Sequence, residues 1–360
     1  MSADTEDRAD APRDGREPPL DPAGALPDVR EPLLDVRDLR VTVDGLHAVR
    51  GISFQVRAGE ALAVVGESGA GKSLTARAVL GLLPAGADVR GGVRFAGREL
   101  LGAGTAGYRG LRGGRLAFVP QDALSVLSPV HTVGEQLALA VRSVRGAGRR
   151  ASAELALAAL DRVGIPDAAR RARAYPHEFS GGMRQRAVIA MAVINEPELV
   201  LADEPTTALD PTTQARILEL LTGIRRETGA ALVLVTHDLD VVAGHADRVL
   251  VMYAGRAVES GPVAEVFAAP RAPYTAGLIA SLPRPRPRPP AGRLPSIGGA
   301  PPSLSALPPG CAFAPRCPAA ADVCGRTLPE PVTEDGRTVS CHRWRELPSP
   351  VTGLFEECAG

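Results

Sequence analysis

The sequence predicts an α/β fold with a mainly parallel core sheet, on three observations. Three wholly apolar runs, Ala61–Val65 (ALAVV), Leu199–Ala202 (LVLA) and Ala231–Val235 (ALVLV), each end at a polar cluster. Continuous apolar runs of this length suit strands buried on both faces of a parallel sheet. Stretches with helical spacing lie between them, and strands alternating with helices define the α/β class. The first run leads directly into a glycine-rich segment and then a helix-forming one, the strand–loop–helix order of a phosphate-binding unit.

Each element follows in chain order. Residues 1–32 are rich in Asp, Arg and Pro without an apolar period, and are expected to form a disordered tail. From Leu33, LLDVRDLRVTV and HAVRGISFQV read as antiparallel strands ahead of the main sheet, an antiparallel β subdomain. SLTARAVLGLL, after the glycine-rich loop, reads as a helix. The stretch from about residue 124 to 180 reads as an inserted helical subdomain, with helical spacing over 152–163. AVIAMAVI (Ala187–Ile194) is far shorter than the ~18 apolar residues that cross a bilayer and fits a buried helix. PRPRPRPP (Pro283–Pro290) can form neither helix nor central strand and is expected to be an extended linker. A small Pro-rich extension with clustered cysteines follows.

Composition narrows the function. Hydrophobic residues are 45%, enough for a sizeable core, but aromatics are 3%, so Leu, Val, Ile and Ala must fill it. The 41 basic and 41 acidic residues cancel, without the basic excess of a nucleic-acid binder. The acidic start MSADTEDRADAPRDG lacks the basic residues and apolar stretch of a secretory signal. The protein is therefore expected in the cytosol, with membrane attachment through partners. Five cysteines in that compartment fit metal ligands or free thiols better than disulfides. Only one basic residue, Lys72, is a lysine.

That lysine closes the motif G-x-x-x-x-G-K-[ST], here GESGAGKS from Gly66 to Ser73. Gly66, Glu67, Ser68, Gly69, Ala70 and Gly71 would turn their backbone N–H groups into one anion-binding nest. The following helix adds its positive end. Lys72 would reach the β- and γ-phosphates, Ser73 would offer its hydroxyl to Mg²⁺, and Leu74, in the first turn, would complete the nucleotide-binding set. The second acidic centre is ELVLADEPTTALD (Glu198–Asp210). Its strand would place Asp203 beside the phosphate loop to hold Mg²⁺ through water, and Glu204 where it can polarise an attacking water.

Phe179–Arg186 reads FSGGMRQR, with Ser180, Gly181 and Gly182 able to cap a helix and form an anion site. This resembles the signature of ATP-binding-cassette (ABC) ATPases, typically LSGGQ, with Phe179 for the usual Leu and Met183 for the usual Gln. The resemblance implies ATP and Mg²⁺ as ligands, Gln121 as the glutamine-loop contact to Mg²⁺ and to membrane subunits, and Asp210 in the Ala208–Asp210 loop that touches a partner ATPase. It makes His237 the switch histidine at the γ-phosphate and Glu204 the base. Ser73, Gln121 and Asp203 would surround Mg²⁺. In the stretch where the family carries an adenine-stacking aromatic, this chain has Val43, so adenine preference follows from the family alone.

The similarity to peptide importers runs from Leu33 to Trp344. It includes HEFSGGMRQRAVIAMA, the Pro273–Thr275 triplet PYT (with Ala272 for the usual His), and the tail GCAFAPRCPAAADVC…SCHRW. It implies an ABC ATPase domain over 33–268, a connector and linker over 269–295, a C-terminal peptide-transporter-type extension over 296–347 and a tail over 348–360. It further implies the D-type of two paired ATPases, an F-type partner, two transmembrane permeases and an extracytoplasmic substrate-binding protein, with no nucleic acid. The chain would sit on the cytoplasmic face of the membrane. Nickel or another solute as cargo stays open, as does a soluble ABC ATPase of DNA repair or translation. Cys311, Cys317, Cys324 and Cys341 have wider gaps than most zinc sites. Similarity to peptide ATPases with this tail favours a [4Fe–4S] cluster, with Zn²⁺ and unligated thiols as alternatives. A metal is then the expected source of folding for a tail with little core of its own. Cys358 stands outside the pattern.

Overall fold

Two sheets organise the chain in the computed structural model, which describes residues 31–123, 125–207, 209–282 and 295–355. From Pro32 onward the chain forms one unit. Most of the expected disordered tail, the Pro-rich linker, Ala208 and Cys358 lie outside the described residues.

Strands β1 (Leu34–Val43) and β2 (Leu46–Val56) pair antiparallel, as the sequence predicts. The two-residue turn between them, Asp44-Gly45, has φ of 49° and 78°, the left-handed pair that matches strand twist in a tight hairpin. β4 (Asp88–Phe95) and β5 (Arg98–Glu99) complete a sheet of order β2-β1-β4-β5.

The larger sheet uses β3 (Ala61–Val65), β6 (Leu116–Val119), β7 (Leu199–Asp203), β8 (Ala231–Thr236), β9 (Arg248–Tyr253), β10 (Arg256–Pro262), β11 (Val332–Glu334) and β12 (Arg337–Val339). Its order is β11-β12-β10-β9-β3-β8-β7-β6. The span from β9 to β6 is parallel. Every residue of β3, β7 and β8 is buried, which is why their sequences do not alternate.

Helices cover the sheet. Lys72–Val79 runs from the phosphate loop into the core between the two sheets. The inserted region folds as Val133–Arg145 and Arg149–Arg162, which pack on Gly181–Val193. Thr132 and Glu135 form a reciprocal capping box at the first of these. Among the described residues no helix is long and apolar enough to cross a membrane.

The extension differs from expectation in how it is held. β12 pairs with β10, so the hairpin β11–β12 extends the core sheet itself. Buried Arg337 donates to Glu259 at 2.7 Å, and Glu259 also accepts the backbone N–H groups of Arg271 and Ala272. Phe313 and Phe355 join the core formed by β3, β9 and the helix Pro273–Ala280. Sheet pairing and borrowed core anchor the extension, a source of order separate from the expected metal.

Candidate functional site

The phosphate loop is shaped by close approach. A Cβ at Gly66 would meet the Met252 carbonyl oxygen at 2.1 Å, and one at Gly71 the Ala48 oxygen at 2.6 Å. Both residues also have positive φ, 152° and 94°, so only glycine fits without displacing backbone. Gly71 precedes the first residue of the helix Lys72–Val79, which aims its free N–H groups into the loop.

Lys72 is buried and donates to the Gly66 carbonyl at 2.8 Å and the Glu67 carbonyl at 3.1 Å. Burial pushes its pKa down, against the pull of Glu204, Asp203 and Glu67. Ser73 donates its hydroxyl proton to Asp203 Oδ1 at 2.6 Å. Asp203 is fully buried at the end of β7, and its Oδ2 accepts no hydrogen bond. Burial raises its pKa, only partly offset by the Ser73 bond and by Arg77, whose guanidinium lies 3.8 Å away. A buried carboxylate oxygen without a donor, beside a serine hydroxyl, is chemically suited to a hydrated Mg²⁺.

Glu204 has a φ of 45°, a strained conformation for a side chain of this size. Its carboxylate is braced from several sides. Oε2 accepts from Gln121 at 3.2 Å and from Thr207 at 3.0 Å. Oε1 lies 3.5 Å from His237 Nδ1 and 3.9 Å from Lys72 Nζ. A cavity of about 390 Å³ opens between Gly66–Ser68, Glu204 and His237. Lys72, Ser73, Gln121, Asp203, Glu204 and His237 are thus brought into one neighbourhood from four separate chain segments. Thr207 and Arg77 are members that sequence reasoning missed. Thr207 sits in the quoted ADEPTTALD run, three residues beyond Glu204.

Ser180, Gly181, Gly182 and Asp210 are absent from that cavity wall and form a second centre. Ser180 caps the helix Gly181–Val193 by accepting from Met183 N–H at 3.3 Å. Asp210 caps Pro211–Thr228 through Thr213, whose N–H lies 3.0 Å and hydroxyl 2.6 Å from its carboxylate. Those two bonds hold the Asp210 carboxyl below its usual range. The two capped ends adjoin, because a Cβ at Gly182 would meet Thr213 Cγ2 at 2.6 Å.

Comparison with known proteins adds the family. Residues 49–207 match the profile described as "ABC transporter", and 258–324 that described as "Oligopeptide/dipeptide transporter, C-terminal region". The chain is 46% identical to the dipeptide transport ATP-binding protein DppD of Bacillus subtilis, over 86% of this chain and 94% of that one. The chain belongs to the ABC transporter ATP-binding family. Against OppD of Mycobacterium tuberculosis it is 52% identical over 83% of its own length, and spans about half (50%) of that longer protein. It is 45% identical to OppD of Salmonella typhimurium, over 86% and 93% of the two chains. The dimeric bacterial ABC cassette MJ0796 superposes with a TM-score of 0.58 at 27% identity, covering 64% of this chain and 98% of that one.

Two features of this ABC cassette stand apart from the phosphate site. At the usual place of the aromatic, Val43 is half-buried at the hairpin end of β1, and the nearby His47 ring pairs with the Thr42 hydroxyl at 2.9 Å. The cysteines Cys311, Cys317, Cys324 and Cys341 line one small cavity of about 30 Å³, and Cys311 N–H donates to the Cys324 carbonyl at 2.7 Å. Burial pushes the Cys317 thiol up to about 12 and Cys341 up to about 11. Cys317 and Cys341 are therefore favoured as neutral thiols at neutral pH, and a bound cation would pull them towards thiolate. Among the described residues no group of three or more His, Cys, Asp or Glu side chains is set to hold a metal ion. The four cysteines expected to hold an iron–sulfur cluster or zinc therefore share one cavity, but they are not arranged as a metal site.

Proposed function

We propose that this chain is the ATP-binding and ATP-hydrolysing subunit of an importer that carries di- or oligopeptides across the cytoplasmic membrane. The observation that carries the ATPase reading is the buried, donorless Asp203 oxygen beside Ser73, with Glu204 braced alongside. The peptide reading draws on the relatives named as dipeptide and oligopeptide transport proteins.

In this reading the loop N–H groups and Lys72 bind the phosphates. Ser73, Asp203 and Gln121 would hold Mg²⁺, which supplies positive charge at the phosphate oxygens. Glu204, held by Gln121 and Thr207, takes the proton of the attacking water. His237, adjacent to Glu204 and more than half exposed, orients the γ-phosphate. Ser180, Gly181, Gly182 and Asp210 serve the nucleotide of a second, F-type cassette, head to tail, which explains their place away from this chain's own phosphate cavity.

The partners follow from the same reading: two permeases and an extracytoplasmic binding protein, with this chain peripheral on the cytoplasmic face. Exposed apolar Leu82, Val126 and Val144 line one groove of about 300 Å³ beside the helical region, a surface suited to docking on a membrane subunit. The four cysteines would be the ligands of the expected [4Fe–4S] cluster, with Zn²⁺ as the alternative, although their side chains are not set for a metal in this structure. Protein purified without oxygen should contain iron and sulfide and lose both in Cys317→Ser, whereas stoichiometric zinc without iron would assign the other metal.

The deciding experiment is uptake of labelled di- and oligopeptides by cells carrying wild-type protein or Lys72→Ala. Lost uptake at equal expression supports peptide import. Unchanged uptake moves the cargo to nickel or another solute.

A further inference from the structure

The C-terminal extension reaches the phosphate loop through one residue. Arg316 donates from Nη1 to Glu67 Oε2 at 2.7 Å and from Nη2 to Glu67 Oε1 at 2.9 Å, a two-pronged contact. Its Nε donates to the Gly298 carbonyl at 2.9 Å, and Nη1 also to the Tyr253 hydroxyl at 3.1 Å. The Arg316 side chain is only 6% exposed. Its neighbour Phe313 packs edge-on to both Tyr253 and Tyr274, with ring centroids 5.3 Å apart in each pair.

Glu67 is gripped on its other side as well. Its backbone N–H donates to the Tyr274 hydroxyl at 2.9 Å, and its carbonyl accepts from Lys72 Nζ at 3.1 Å. A single loop residue therefore links the extension to the phosphate-binding lysine. The grip has an energetic meaning. A segment with glycines at three of six positions before its lysine is free to move, and ordering it opposes ligand binding. A bidentate guanidinium–carboxylate contact is both strong and geometrically restrictive, more so when half-buried. The salt bridge crosses 249 residues of chain, so local folding alone cannot supply it.

We propose that Arg316 is a positioning residue of the ATP site, pre-ordering the phosphate loop through Glu67 so that the docked extension raises the cassette's affinity for ATP. The inference rests on the ATP reading of the loop. Arg316 lies directly before Cys317, and Phe313 and Tyr274 line the cysteine cavity, so the cavity and the loop share these contact residues. The extension keeps its other anchors, β12 on β10 and Arg337 on Glu259, when Arg316 is altered.

The test is calorimetric titration of the full chain with ATP and Mg²⁺. Arg316→Met, which keeps the apolar stem, is expected to weaken ATP binding about tenfold. In the assembled ATPase it should raise KM while leaving kcat within about twofold. In a Glu67→Gln background the same change should alter affinity by less than about twofold, because the two residues act as one unit. Wild-type affinity in Arg316→Met with an unchanged circular dichroism spectrum would overturn the proposal, and so would a full effect that persists in Glu67→Gln. Should Arg316→Met fail to fold, Glu67→Gln alone decides: weakened binding supports the proposal and unchanged binding overturns it. Lys72→Ala is the control for the parent reading. If it binds ATP as well as wild type does, the ATP site itself is misassigned; if it loses binding while Arg316→Met does not, only the positioning role falls.

Discussion

The phosphate-loop centre and the Ser180 centre are built on opposite principles. At the first, Asp203 is fully buried with an oxygen lacking a donor, Lys72 is desolvated, and Glu204 sits at a φ of 45°. At the second, Ser180 and Asp210 are exposed, each accepts the N–H its helix leaves free, and Asp210 has its carboxyl pulled below the usual range by Thr213. Strain and unmet hydrogen bonding collect where the chain is proposed to hold charged ligands. At the other centre the capping side chains are already paired, which suits the surface proposed to face a partner's nucleotide.

The largest expected effect tests the strained centre. Glu204→Gln keeps the size and the hydrogen-bonding reach toward Gln121 and Thr207 but removes the proposed base. Turnover should fall by about 10²–10⁴ while ATP binding persists, read by single-turnover phosphate release with the partner cassette inactivated. Near-normal release in that setting would mean that the base is another group.

How much of this contrast is legible in the chain depends on where the signal is local. β3, β7 and β8 are readable because each is apolar throughout, and the glycine-rich loop because its motif is contiguous. The hairpin β1–β2 is readable because each of its strands is a contiguous β-type run. β6 is only four residues long and β9 starts on an arginine, so neither announces itself as a core strand. The helical insert is legible over 152–163, whereas its partner helix Val133–Arg145 is not, because only the packed pair makes its apolar face evident. Least legible were β11 and β12, three residues each with polar sequences, whose strand state comes from pairing with β10. The same holds at the site. Lys72, Asp203 and Glu204 sit in motifs, but Arg77 on Asp203 and Arg316 on Glu67 act across the fold. PYT and the tail GCAFAPRCPAAADVC are legible as strings, and only the structure gives Tyr274 and Arg316 a shared contact, Glu67.

A smaller effect separates the two centres. Ser180→Ala removes one helix cap, a cost of about 1 kcal/mol to stability. ATP affinity of the isolated chain should stay within about twofold, since this serine touches none of the phosphate-loop cluster. Hydrolysis by the paired cassettes should nevertheless fall about tenfold or more, through loss of a donor at the partner's nucleotide. Weakened ATP binding by the isolated chain would merge the two centres into one and end the comparison.

The smallest effect is on stability, and its sign is the informative part. Burial lifts the Asp203 carboxyl above its ordinary pKa, so the folded state holds the proton more tightly than the unfolded chain does. Ionisation therefore opposes folding: the cost is absent below the unfolded pKa and complete above the folded one. Asp203→Asn carries no such cost and can still accept from Ser73. Without nucleotide it should be more stable and melt higher at neutral pH, with the gain fading as pH drops through the carboxylate range. The same substitution should abolish Mg²⁺-dependent ATP hydrolysis. A lower melting point at neutral pH would show that Arg77 and Lys72 more than compensate the burial of Asp203, and that the phosphate centre, like the Ser180 centre, is already satisfied before its ligands bind.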